Sequence, residues 1–179
     1  MLDVHTYQDN VPSRMGEQEF ITCFGGVYEH SPWIAEAVWH LSPEPDLATD
    51  QDTAEGIHQS FQSVVDGADQ ATKLALLRAH PDLAGKLAIT GALTAASTAE
   101  QAGADLGNCT PEEFADFKRL NDSYKEKFGF PFILAVRGCQ RTEILKTFKA
   151  RVDNDPATEF NEALSQVHRI ALLRLRDIK

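Results

Sequence analysis

Cysteine is scarce and unpatterned: Cys23, Cys109 and Cys139 are the only three in 179 residues. They form no C-x-x-C pair and no Cys/His cluster at zinc spacing, which argues against both a disulfide framework and a metal centre and fits a reducing compartment. Long hydrophobic runs are missing as well. No apolar stretch approaches the roughly 20 residues of a membrane helix, the opening MLDVHTYQDNVPSRM has no apolar signal core, and the chain does not end in SKL. We therefore expect a cytoplasmic protein with no membrane partner. Positive charge is also short, with 17 Lys and Arg against 27 Asp and Glu for a formal net charge of −10. Nucleic-acid binding rests on clustered cations, so a nucleic-acid partner is not expected. An anionic ligand would have to be met by a local cation, which makes individual arginines worth following.

What is present suits a folded domain. The chain is 42% hydrophobic and 25% charged, and its length fits a single domain over 1–179 with a loose N-terminal tail of about 1–14. Ser31-Pro32 reads as a helix start, a capping serine followed by proline at the first helical position, and WIAEAVWHL follows with Leu41 on its apolar side. Ile57, Phe61, Val64 and Val65 share one face of a helix resuming at Thr53. The helix over Ala71 to Ala79 ends where Pro81 disfavours helical geometry at His80. Thr110-Pro111-Glu112-Glu113 opens a long helix with Phe114, Phe117, Leu120, Tyr124 and Phe128 as its stripe, stopped by Gly129-Phe130-Pro131. FPFILAVRG is a continuous apolar run too short for a typical helix, and one strand alone makes no sheet, so an extended buried segment is expected at about 130–136. Two further helices run from Arg141 to Val152 and from Pro156 to near Asp177. The fold class is all-α: a bundle of seven or eight helices with one extended insert.

Chemistry concentrates between Arg78 and Gln101. His80 sits at a helix exit, where its near-neutral pKa suits proton transfer, although a helix-terminal histidine bonded to a carbonyl is the blander reading. Ser97, Glu100 and Gln101 stand at i, i+3 and i+4, and in a helix leave one face. Spacing alone describes Ser97-Thr98-Ala99-Glu100 equally as a capping box. If Glu100 serves its own helix N-terminus, His80 must act without it. Arg169, among aliphatic neighbours in the last helix, is either a snorkelling surface residue or a planar cation for a carboxylate. Arg174 and Arg176 read as charge complementing the helix C-terminus. The backbone of Phe132 to Val136 either packs in the core or offers N–H and C=O groups to a planar amide-like ligand.

Five stretches carry a resemblance to a known family. EHSPWIAEAVW, LLRAHPDLAGKLA, LTAASTAEQAGA, LNDSYKEKFGFPFILAVRG and EFNEALSQVHRIALLRL, in this order, resemble the OHCU decarboxylases of urate breakdown. These enzymes convert 2-oxo-4-hydroxy-4-carboxy-5-ureidoimidazoline into (S)-allantoin and CO2. The resemblance implies His80 as the catalytic acid, assisted by Glu100. It implies a small-molecule site lined by Pro81, Ser97, Thr98, Ala99 and Gln101, by the backbone of Phe132, Ile133, Leu134, Ala135 and Val136, and by Arg169. It further implies a homodimer and no cofactor or metal, in keeping with the lack of cofactor motifs. A non-catalytic helical ureide-binding module and a hydrolase of the same pathway are the competing readings.

Overall fold

The computed structural model describes residues 4–41, 49–83, 94–104, 106 and 109–179, apart from the side chains of 49, 101 and 103. Among these residues there are eight α-helices and no strand: α1 Glu17–Phe24, α2 Trp33–Leu41, α3 Ala54–Gly67, α4 Gln70–Arg78, α5 Ala95–Gly103, α6 Pro111–Phe128, α7 Arg141–Arg151 and α8 Pro156–Asp177. None is long and apolar enough to cross a membrane. The all-α class is as the sequence indicates. Two compact units divide the chain, one of residues 1–79 and 168–179 and the other of residues 80–167.

The first unit is built on aromatic side chains brought inward by α1 and α3. Phe20, Phe24 and Phe61 are buried, with ring centroids 5.0 Å apart for Phe20–Phe24 and 6.4 Å for Phe20–Phe61. Thr53 caps α3 by accepting from the Gly56 N–H. Gly56 has to be glycine here, because a Cβ would stand 1.8 Å from the Asp50 carbonyl oxygen. Thr6 and Tyr7 are held by the rest of this unit. Thr6 bridges Thr53, the Tyr7 N–H donates to the Asp52 carbonyl at 3.0 Å, and the buried Tyr7 hydroxyl donates to the Leu175 carbonyl at 3.2 Å. Leu41 departs from expectation: α2 buries Ile34, Ala35 and Val38, while Leu41 is 73% exposed.

In the second unit α6 forms as its signals predict. Thr110 and Glu113 make a reciprocal capping box, Pro111 takes the first helical position, and Gly129 closes the helix in a left-handed conformation at φ 78° that favours glycine. The buried face consists of Phe117, Leu120, Asn121 and Tyr124. Phe114 and Phe128 are only half-buried. The chain from Pro131 to Val136 then runs with neither helix nor strand pairing, as expected for the FILAV stretch. Its Phe132 ring stacks on Phe148 of α7 with centroids 3.8 Å apart and planes 10° from parallel.

Candidate active site

His80 follows directly on α4, which Asp69 caps through the Thr72 N–H and which ends at Arg78. Proline at 81 keeps the helix from continuing, and His80 lies 9% exposed at the break. The residues just beyond it are tied to α6: the Asn121 amide donates to the Leu83 carbonyl at 2.9 Å, and Lys125 donates to Asp82 at 2.6 Å. Pro81 itself is half-buried. The corner is thus a fixed feature of the second unit, which suits an imidazole that must meet a ligand in one orientation.

Helix α5 settles the capping question. Its N-cap is Thr94, whose hydroxyl accepts from the Ser97 N–H, and the helix begins at Ala95. Ser97 is therefore the third residue of the helix and Glu100 lies well inside it, so the Ser97–Glu100 capping box is overturned. A helix over these residues does put Ser97, Glu100 and the backbone of Gln101 on one face. Ser97 is 4% exposed and Glu100 is half-buried, whereas the Thr98 and Ala99 side chains are exposed. The helix ends at Gly103.

Of the 132–136 segment, Phe132, Ile133, Ala135 and Val136 are buried and Leu134 is half-buried. Two of its backbone groups are held by side chains of the same unit. The Ile133 carbonyl accepts from Arg151 Nη1 at 2.8 Å, and the Ala135 N–H donates to Gln166 Oε1 at 3.0 Å. Arg151 also lies over the Phe132 ring, its guanidinium carbon 4.6 Å from the centroid. Glu159, fully buried, receives Arg151 Nε at 2.9 Å, the Tyr124 hydroxyl, and Asn154 at 2.7 Å. Burial, followed by the bond to Glu159 and its charge, holds the Tyr124 phenol well above its ordinary range. A buried carboxylate needs such a set of donors, because an unpaired charge in the interior costs several kcal/mol.

The arginines of α8 divide differently from the sequence reading. Arg169 is exposed and belongs to the first unit. Arg174, taken from sequence as a charge at the helix end, is 8% exposed and donates to Glu29 at 2.8 Å and to the Val27 carbonyl at 3.2 Å. Arg176 does sit outside, paired with Glu55 at 2.7 Å. Sequence reasoning also missed Arg151, Glu159 and Gln166. Their partners stand 18, 8 and 31 residues away in the chain and on other elements, so no periodicity within one helix joins them.

An all-α chain that presents a buried imidazole, a carboxylate on a helix face and a pinned peptide segment has the features of an acid/base enzyme for a small polar ligand. The family model of the OHCU decarboxylases matches residues 13–176, and the chain belongs to that family. It is 39% identical over 165 residues, 92% of either chain, to a 2-oxo-4-hydroxy-4-carboxy-5-ureidoimidazoline decarboxylase of Haloferax volcanii. Among solved structures it is similar to an (S)-allantoin synthase, with TM-score 0.68 and 32% identity over 90% of this chain. It spans about half the length of that protein. An OHCU decarboxylase solved in the presence of (S)-allantoin shares the fold at TM-score 0.64 and 20% identity, over 91% of this chain and 97% of that one.

Proposed function

We propose that this chain is a cofactor-independent carboxy-lyase that converts 2-oxo-4-hydroxy-4-carboxy-5-ureidoimidazoline to (S)-allantoin and CO2 in urate degradation. The observation that carries the reading is the family match over residues 13–176, which contains His80, Ser97, Glu100 and residues 132–136. The chemistry asks little of a protein beyond placement and protons. When the carbon–carboxylate bond breaks, its electron pair passes into the adjacent ring C=N bond, so the substrate supplies its own electron sink. The hydroxyl on the carbon that lost CO2 then gives up its proton and becomes the ring carbonyl. A proton arrives at the ureido-bearing carbon, and its delivery from one side makes the product (S).

His80 and Glu100 share the proton traffic, with His80 as the acid. Pro81, Ser97, Thr98, Ala99 and Gln101 line the ligand, Thr98 and Ala99 through their backbone since their side chains are exposed. The 132–136 backbone receives the ring and ureido amides. Arg169 orients the carboxylate. An ion pair to the carboxylate favours the bound substrate over the neutral CO2 that leaves, so this residue contributes to binding more than to the chemical step. In the cell the enzyme works as a cytoplasmic homodimer.

The test is turnover of freshly generated substrate followed by circular dichroism. Rapid growth of the (S)-allantoin signal with CO2 release is the expected result. Only slow racemic decay would make the chain a ureide-binding module, and ring opening would make it a hydrolase.

A further inference from the structure

We infer that Arg151 and Gln166 are positioning residues that hold the 132–136 segment by one edge and so present the Leu134 peptide groups to the substrate. The inference rests on the proposed binding role of that segment. Residues two apart in an extended chain direct their N–H and C=O groups to the same side. The two anchored residues, Ile133 and Ala135, are two apart, and their anchors come from α7 and α8. In an extended run Leu134, lying between them, faces the other edge. It is also the one residue of 132–136 that is not buried.

The anchors have the chemistry of a fixed clamp. Arg151 is 7% exposed and its planar fork performs three tasks: it pairs with Glu159 through Nε at 2.9 Å and Nη2 at 2.5 Å, reaches the Ile133 carbonyl through Nη1, and lies over Phe132. A lysine has a single ammonium and can keep the charge but not this geometry. Gln166 is itself aimed by a second bond, from Nε2 to Glu162 Oε1 at 2.8 Å, which leaves its carbonyl oxygen toward Ala135. Unanchored, a peptide segment without helix or strand pairing would have to be ordered by each arriving ligand, and affinity would fall accordingly.

The experiment compares the wild type with Arg151→Lys, Gln166→Leu and the exchange Glu162→Gln/Gln166→Glu, each in the full chain. The exchange keeps an oxygen for the Ala135 N–H and reverses the bond between 162 and 166. In the wild type, amide NMR with (S)-allantoin as probe should shift the Leu134 N–H. In Arg151→Lys and Gln166→Leu, KM should rise about tenfold with kcat within about threefold, the pattern of lost uniform binding, while the exchange stays near wild type. A silent Leu134 amide in an active wild type overturns the binding role of the segment and the inference with it. A responsive Leu134 with unchanged KM in both folded single variants overturns the positioning role alone, and so does failure of the exchange to restore KM in a folded protein.

Discussion

The Thr94 hydroxyl accepts the Ser97 N–H at 3.3 Å, so α5 is capped one turn before the serine. Capping and catalysis by Glu100 therefore do not compete. Thr94→Ala should cost about 1 kcal/mol of stability, the usual cost of losing such a cap. Glu100→Gln leaves that cap in place and should cost less than Thr94→Ala. Urea denaturation of the two variants measures both; a large loss for Glu100→Gln would return that residue to a structural role.

His80 and Glu100 as proton-handling groups lead to a kinetic expectation. His80→Ala should fold with unchanged far-ultraviolet circular dichroism and lose stereoselective turnover by about 10²–10⁴-fold, and Glu100→Gln should fall in the same range. Near-normal rates of (S)-allantoin formation in the His80 variant would remove the assignment.

How far the sequence could be read varies with the distance over which its signals act. Starts such as Thr53 and Thr110-Pro111, and stops such as Gly129, are local stereochemistry and appear in the fold where the residues imply them. The start of α5 does not, because Thr94 and Ser97 are both capping residues in one short stretch and neither local pattern excludes the other. The buried partners were out of reach for another reason. Arg169 and Arg174 are five positions apart, about 140° around a helix, and periodicity puts Arg174 beside the apolar stripe of Val167, Ile170 and Ala171 without saying what meets its charge there. That is decided by Glu29, 145 residues away.

The exposed arginine has a distinct kinetic signature. If Arg169 meets the substrate carboxylate, Arg169→Ala should raise KM about tenfold or more with kcat little changed, since an interaction made equally in ground and transition states acts on binding. Steady-state kinetics decides it, and an unchanged KM would take Arg169 out of the site.

Two buried histidines of the first unit, His58 and His168, predict how stability depends on pH. His168 accepts or donates at Nδ1 with the Tyr28 hydroxyl at 2.8 Å, and its carbonyl bonds His58 Nε2 at 2.9 Å. Burial holds both imidazoles below the ordinary value of 6.5. Asp66 pulls His168 the other way and Glu55 does so for His58, while Arg176 and Lys73 add to the lowering, and burial outweighs the opposing charges. The sign follows: a folded-state pKa below the unfolded one means that the unfolded chain binds more protons as the pH falls. The stabilisation is complete above about pH 6.5 and is lost as the pH drops through the folded-state values. Thermal unfolding from about pH 7.5 down to about pH 5 should show Tm falling, and His168→Gln should flatten that slope. An equal slope in the variant would place the acid sensitivity elsewhere.

The buried pair of Arg174 and Glu29 gives the strongest stability prediction. Glu29 is 2% exposed and Arg174 is 8% exposed, and each was taken from water against a desolvation cost that their 2.8 Å contact offsets. Removing one partner leaves the other charge buried without that contact. Arg174→Ala should therefore cost about 3–5 kcal/mol, far more than the median exposed pair. Arg176→Ala, which breaks the outer pair with Glu55, should cost about 1 kcal/mol or less. Neutralising both members in Glu29→Gln/Arg174→Met should recover part of the loss, since no uncompensated charge then remains inside. Urea unfolding of the four proteins provides the measurement. Equal losses for Arg174→Ala and Arg176→Ala would show that the inner pair is hydrated and not held in the core.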